Sequence, residues 1–207
     1  MQTSFTGRVA LLALLGAAPL GLRAQAVAGP GPAARHPVSW GARAALLYAN
    51  TNFNQGVPAP PAPVATTWRP GFGAGLWVRV GLGHGFGAQQ EYAFLQQSGE
   101  QSGGPRYTLR YLSLPLLLRY QPLPRLALLA GPQLDLLIAA DQDGTSITHD
   151  TEERAVGALA GLEVALASRL ALELRYTQGL NHVGIGQRSA VREFRWQVAQ
   201  AGLAVRF

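Results

Sequence analysis

The chain has 207 residues, no cysteine and a formal net charge of +6, and all its basic residues are arginines. The absence of cysteine excludes a disulfide framework, a thiol nucleophile and a cysteine-based zinc site. The arginines are spread singly, whereas nucleic-acid binding needs them gathered on one face, so we expect no nucleic-acid partner.

The N-terminal segment has the features of a secretory signal peptide. Arg8 precedes an apolar run from Val9 to Leu22, and Ala24-Gln25-Ala26 is a small-x-small cleavage site. The run is shorter than the ~20 residues of a spanning helix. We therefore predict a signal peptide over 1–26, a periplasmic linker over 27–37 and a single domain over 38–207.

Eight segments after the linker alternate apolar residues with small or polar ones. A period of two places successive side chains on opposite faces of a strand, so each segment has one apolar face and one mixed face. Each is long enough to cross a membrane as a tilted strand, which takes ~9 to 11 residues. In chain order the segments are 38–49, 70–82, 86–97, 107–120, 126–140, 154–167, 170–180 and 192–207.

The stretch from Tyr107 to Ala140 shows the pattern most clearly, as two strands joined by a five-residue turn over 121–125. Two buried helices are the alternative, because leucine-rich runs also suit helices. Pro115 and Pro132 argue against helices, and since proline donates nothing to a sheet, we expect them at a bulge or near a rim.

The last segment is less regular than the others. Phe194 and Trp196 fall on the opposite phase to the apolar residues that follow them, which a bulge or the end of the membrane zone would explain.

The connections between the segments alternate in length. The long ones are 50–69, 98–106, 140–153 and 181–191, and the short ones are 83–85, 121–125 and 168–169. Transmembrane barrels have short periplasmic turns and longer external loops. The sequence therefore predicts an all-β fold, a closed eight-stranded antiparallel up-and-down transmembrane barrel. A soluble periplasmic barrel of lipocalin type is the alternative, and it would bury the apolar face.

Three passages carry a resemblance to a known family: YLSLPLLLRY, then LALLAGPQLDLLIAA, then GLEVALASRLALELRYTQGLNHV. They resemble the PorT-like outer-membrane β-barrels of Gram-negative envelopes, over roughly residues 38–207. The resemblance implies an eight-stranded barrel in the outer membrane. It defines no catalytic signature, and the member that gives the family its name assists a secretion system.

Assigning the apolar face to lipid turns eight charged side chains inward. An eight-stranded barrel is filled by its side chains, and equal numbers of arginines and carboxylates allow pairing throughout. We expect these side chains to form a lumen ion-pair network; the alternative is that they form a proton or ion path. The members of the predicted network are Arg43, Arg79, Glu91, Arg119, Asp135, Glu163, Glu173 and Arg175.

The polar residues outside the strands form no recognisable catalytic or metal-binding motif. The histidines are His36, His84, His149 and His182, and none shares a strand face with a serine and a carboxylate. The acidic loop that begins at Asp141 lacks the register of a calcium loop, because Ala139 stands where the first ligand belongs. We therefore predict no catalytic residue, metal or cofactor.

The C-terminus ends in alternating apolar residues with a terminal aromatic. Leu203, Val205 and Phe207 resemble the signal by which the barrel-assembly machinery recognises its clients. We predict that this machinery is a partner during biogenesis and that outer-membrane lipid surrounds the mature barrel.

The sequence favours a non-enzymatic outer-membrane protein with a structural or interaction role, whose external loops are the surface for a protein partner. Two alternatives stay open. One is an accessory of protein secretion, and the other is a lipid-modifying enzyme, which would need His149 or His182 beside Ser146 or Ser189 at the external rim.

Overall fold

The computed structural model describes residues 37–52, 54, 62–63, 65–101, 104–185 and 192–207. The predicted signal peptide, most of the predicted linker, His36 and Ser189 lie outside these residues, as do parts of the connections 50–69, 98–106 and 181–191. The strands belong to one compact unit, Arg35–Phe207.

Ten strands and one short 3-10 helix make up the described chain. Eight strands form the barrel wall, and β6 and β9 are short additions to it. The strands are β1 (Val38–Asn52), β2 (Thr66–Gly83), β3 (Phe86–Gln101), β4 (Arg106–Leu123), β5 (Leu126–Gln142), β6 (Thr145–Ser146), β7 (Arg154–Ala165), β8 (Leu170–Gly179), β9 (Val183–Ile185) and β10 (Arg192–Arg206), with the 3-10 helix at Thr148–Asp150.

The wall closes on itself through antiparallel pairs only. Each wall strand pairs with the next in the order β1-β2-β3-β4-β5-β7-β8-β10, and β10 pairs with β1 from Gly41↔Arg206 to Asn52↔Arg195. Closure leaves no unpaired edge along the wall, so the backbone amides and carbonyls are satisfied within the barrel. The prediction of a closed eight-stranded antiparallel barrel is confirmed.

The two ends of the barrel differ. We call the end with the short turns and the C-terminus the turn end, and the opposite end the loop end. Two turns at the turn end are tight: His84-Gly85 joins β2 to β3, and Pro124-Arg125 joins β4 to β5. The first turn needs left-handed backbone, and Gly83, His84 and Gly85 all have positive φ.

The two faces of the wall have the sidedness that the sequence predicted. Large apolar side chains cover the outside; Leu46, for example, is 74% exposed. The inward positions alternate with them and are buried, including charged groups such as Glu91 at 0% exposed. This excludes the lipocalin-type alternative, in which the apolar face would line the interior. No described helix is long and apolar enough to span a membrane.

Several element bounds differ from the prediction. The five-residue turn over 121–125 is only Pro124-Arg125, because β4 continues to Leu123, and the predicted two-residue connection 168–169 is instead 166–169. Most strands also extend further toward the loop end than predicted. Hydrogen bonds to neighbouring strands carry them past the point where the apolar alternation stops, which a pattern-based boundary misses.

The two prolines lie in regular strand, so the expectation of a bulge or a rim position was wrong. Pro115 pairs with Gln133, and Pro132 pairs with Ala158. The β4–β5 register is the same on both sides of the gap that follows Pro115. Each proline omits a hydrogen bond without shifting the strand, and Pro115 faces the lumen whereas Pro132 faces outward.

Phe194 and Trp196 also follow the regular alternation, without the predicted bulge. No register shift occurs between β10 and either wall neighbour, β1 or β8. Both side chains point inward and are buried, in phase with Val198 and Gln200. The two residues looked out of phase in the sequence because apolar side chains, and not polar ones, fill the lumen at this level.

Candidate functional site

Four of the predicted lumen residues form a buried cluster between opposite walls. We call Arg43, Glu91, Glu173 and Arg175 the central cluster. Both Arg175 Nη atoms lie 2.8 Å from the Glu91 carboxylate oxygens, and Nη2 also lies 3.0 Å from Glu173 Oε1. Arg43 reaches Glu173 at 3.0 Å and Glu91 at 3.4 Å. Each charge therefore has two partners of opposite sign, which offsets the cost of burying it.

Three more predicted residues meet nearer the turn end. We call Arg79, Arg119 and Glu163 the mouth cluster. Arg79 Nη2 donates to Glu163 Oε2 at 2.7 Å, and Arg119 Nη2 donates to Oε1 at 2.9 Å. Arg79 is also held over the ring of Trp77, at 4.7 Å from its centroid. One carboxylate shared by two guanidiniums leaves this cluster with one unbalanced positive charge.

Glutamines join and complete the two clusters. Gln89 Oε1 accepts from Arg79 Nε at 2.8 Å, and Gln89 Nε2 donates to Glu91 Oε1 at 2.6 Å, so one buried side chain links both clusters. Gln200 Oε1 accepts from Arg43 Nη2 at 3.2 Å. The predicted network contained charged residues only and did not include these glutamines, although their inward strand parity marks them.

Asp135 is the one predicted lumen residue that the structure does not bring to an arginine within the described chain. Its two carboxylate oxygens accept from Gln133 Nε2 at 3.0 and 2.8 Å. Gln133 is held in turn by Thr177, whose hydroxyl lies 3.3 Å from Gln133 Oε1. The expectation that all eight charges pair was therefore wrong for Asp135, which lies toward the loop end of β5, away from the arginines of both clusters.

Apolar side chains fill the loop-end half of the lumen. We call this set the apolar plug, and its largest completely buried members are Tyr111, Phe194 and Leu109. Phe194 and Trp196 meet edge to face at 5.0 Å between ring centroids. The full set is Ala45, Leu47, Ala49, Ala93, Leu95, Tyr107, Leu109, Tyr111, Ala140, Ala155, Val183, Phe194, Trp196 and Val198.

Two external loops are attached to this plug. Val183 of β9 belongs to it, and Ile147 packs against it. Glu152 N donates to Gly184 O at 3.2 Å, which ties the acidic loop to β9. The acidic loop thus packs on the filled lumen. Its outer face carries exposed acids including Asp150, Glu152 and Glu153.

The opposite end of the lumen holds a cavity of about 640 Å³, which we call the turn-end cavity. The mouth cluster and Trp77 form its inner wall. Its rim comes from the turns 124–125 and 166–169 and from the C-terminal end of β10, with Arg125, Arg169 and Arg206 exposed. The cavity stops below the central cluster, so the charged and apolar fillings separate it from the loop end.

At the external rim, His182 and Ser146 each lie close to another polar side chain. His182 Nδ1 is 3.9 Å from Glu193 Oε2, and Ser146 Oγ is 3.3 Å from Thr148 Oγ1. His149 is part of the 3-10 helix, and Ser189 lies outside the described residues. The hydrogen bonds and ion pairs of the described residues thus connect His182 to a carboxylate and Ser146 to a threonine, and the lipid-modifying alternative stays a prediction.

The predicted assembly residues lie on the outside of β10. Leu203, Val205 and Phe207 are all exposed there. Phe207 N donates to Trp40 O at 3.0 Å, and the two rings lie 4.8 Å apart. The terminal aromatic thus covers the seam between the first and last strands, and its role as an assembly signal stays a prediction.

Comparison with known proteins gives a family match over most of the chain. The model of the outer membrane protein beta-barrel domain family matches residues 24–184. No curated protein matches the sequence.

Solved structures with a similar fold share little sequence with the chain. The Neisserial surface protein A has 16% identity and a TM-score of 0.50, over 82% of this chain and 97% of that one. Outer membrane protein OprG from Pseudomonas aeruginosa has 12% identity and a TM-score of 0.47, over 84% and 97%. Ail, the attachment invasion locus protein of Yersinia pestis, solved with the heparin analogue sucrose octasulfate, has 15% identity and a TM-score of 0.46, over 82% and 97%.

Proposed function

Because the chain belongs to the outer membrane protein beta-barrel domain family, we propose that it is a non-enzymatic envelope protein with a side-chain-filled lumen that presents its external loops to a partner. The barrel lies in the outer membrane. In such barrels the short turns face the periplasm and the longer loops face the cell exterior, so the turn end faces the periplasm.

The observation that carries this proposal is the filling of the lumen. The apolar plug and the central cluster occupy successive levels inside the wall, and Tyr111, Phe194, Glu91 and Arg175 are all buried there. A barrel of eight strands has an interior that side chains can fill completely. Filling of this kind supports a scaffold for the outer surface and argues against a water-filled channel.

The acidic loop supports an interaction role at that surface. It projects Asp150, Glu152 and Glu153 while Ile147 anchors it to the plug, so the acids sit on a fixed support. A preorganised cluster of acidic side chains favours association with a partner group of positive charge. We propose that this loop is the contact surface.

Two measurements test the proposal. Purified protein in planar bilayers is expected to give no stepwise conductance, and a sustained conductance would overturn the filled lumen. In a deletion strain examined for adhesion, permeability and secretion, the wild type should restore the lost phenotype. The triple variant Asp150→Asn/Glu152→Gln/Glu153→Gln should not, while Glu100→Gln, outside the acidic loop, should.

An accessory of protein secretion is a second candidate. The resemblance to PorT-like barrels supports it, together with the turn-end cavity, which would face periplasmic components. This candidate predicts that the deletion strain loses secreted proteins, and that the triple loop variant restores their secretion. Normal secretion by the deletion strain excludes it.

A further inference from the structure

The turn-end cavity has an uncompensated positive charge. Its lining includes five arginines, Arg79, Arg119, Arg125, Arg169 and Arg206, and one carboxylate, Glu163. Five minus one leaves an excess of four positive charges. Such an excess around a concave, partly enclosed surface raises the local concentration of anions.

No acidic side chain other than Glu163 is available to neutralise this cavity. Of its 11 acidic residues, Glu91 and Glu173 are paired with Arg43 and Arg175, and Asp135 is bonded to Gln133. The remaining seven lie at the loop end, at Glu100, Asp141, Asp143, Asp150, Glu152, Glu153 and Glu193. The sequence before residue 37 contains no acid.

Donors at the cavity wall are left unused. Arg119 Nε is buried and has no hydrogen-bond partner within the described chain. At the rim, Arg125 and Arg169 are exposed, and their side chains make no hydrogen bond or ion pair with the described residues. The exposed guanidinium groups at the rim therefore keep donors that an anionic ligand could accept from.

The shape of the cavity narrows the class of ligand. Its volume lies within the ~300 to 1,000 Å³ typical of sites for small organic molecules. Its lining also includes Trp77, whose indole ring lies beside the guanidinium of Arg79 and offers an apolar surface next to the charges. Arginine forks match phosphate oxygens in bidentate geometry, so several of them suit a phosphate group that carries an organic substituent.

We propose that the turn-end cavity is a periplasmic binding site for a phosphate-bearing organic ligand. Arg79 and Arg119 form the inner part of the site, held in place by Glu163, and Arg125 and Arg169 close over the ligand from the rim. Two sources share this chemistry: a phospholipid head group of the inner leaflet and a soluble phosphate ester. The site does not depend on the function proposed for the external loops.

The test uses the full barrel in a maltoside detergent, which carries no phosphate. Glycerol 3-phosphate titrated by calorimetry is the soluble arm, and phosphatidylglycerol added to mixed micelles and followed by native mass spectrometry is the lipid arm. Citrate serves as a carboxylate comparator. Binding of either phosphate probe supports the proposal and identifies the source, whereas binding of citrate alone, or of no probe, overturns it.

Matched variants locate the site without disturbing the lumen. Arg125→Gln/Arg169→Gln removes two rim charges and is expected to weaken binding at least tenfold. The control Arg106→Gln/Arg154→Gln removes two exposed arginines from the loop end and should leave affinity unchanged. Equal weakening by both pairs would show a general charge effect and overturn the assignment to this cavity.

Discussion

The turn-end half of the lumen contains seven charged side chains, whereas the loop-end half contains the apolar plug and a single carboxylate, Asp135. Both halves are packed inside the same wall of alternating strands. In the first, opposite charges and glutamines contact each charged side chain, with one arginine in excess in the mouth cluster; in the second, aromatic and aliphatic side chains fill the space. The barrel thus uses ion pairs toward the periplasm and packing toward the outside.

The difference matters because the two kinds of filling fail in different ways. Removing one partner of a buried ion pair leaves an uncompensated charge, and the cost exceeds what the pair itself contributes. Removing part of an apolar side chain leaves a cavity, and the cost depends on how far the neighbours can relax. The following substitutions separate these two cases, from the largest expected effect to the smallest.

Glu91→Gln should cause the largest loss of stability. It removes the negative charge that Arg43 and Arg175 share, and breaking a buried pair costs about 3–5 kcal/mol. The free energy of unfolding, measured in urea by tryptophan fluorescence in detergent, should fall by that amount. Glu100→Gln, which removes a partly exposed partner of Arg69, is the control and should cost about 0–1 kcal/mol. Equal losses would contradict the central cluster.

Leu109→Ala should destabilise the barrel through a cavity in the apolar plug. The side chain is completely buried, and such truncations cost about 2–5 kcal/mol. Leu46→Ala truncates a leucine on the outer face, where detergent or lipid fills the space. The loss of unfolding free energy should therefore be smaller for this variant. If the outer variant unfolds more readily than the inner one, the plug does not stabilise the fold.

Asp135→Asn should have a small effect, in contrast to Glu91→Gln. The change removes a buried carboxylate that has no arginine partner in the described chain, and the amide can keep a hydrogen bond to the neighbouring glutamine. We expect the free energy of unfolding to change by no more than about 1 kcal/mol. A loss as large as that of Glu91→Gln would indicate a cationic partner for this carboxylate.

Arg110→Gln should have the smallest effect and should depend on salt. Arg110 Nη1 lies 2.9 Å from Asp141 Oδ2, and its side chain is 39% exposed. Exposed pairs contribute about 0.2–1 kcal/mol, and salt screens them. The difference from the wild type should disappear when the denaturation is repeated at high ionic strength, whereas that of Glu91→Gln should persist.

Much of the fold could be predicted because its main signal is local. The alternation in 107–120 and 126–140 identifies the inward positions, and it correctly placed Ser113, Leu117 and Asp135 inside. Strand ends were less predictable, because backbone hydrogen bonds between strands form regardless of the side-chain pattern. They extend β2 back to Thr66 and β5 on to Gln142. The prolines were also misjudged, because the ladder hydrogen bonds on either side of each one keep the register despite the missing donor.

The site was predictable only as a set of residues. All eight charges could be selected by parity, but the glutamines were missed, and the pairing could not be assigned. Glu163, for example, meets Arg79 and Arg119 from two other strands, while Asp135 meets none of the arginines within the described chain.

The sequence by itself determined which side chains face inward and which face lipid, because the period of a strand is fixed by covalent geometry. Only the tertiary structure decided which inward side chains meet. The tilt and stagger of the closed wall bring residues from distant strands to the same level. That stagger separates the ion pairs from the apolar plug and leaves the excess of arginines around the turn-end cavity.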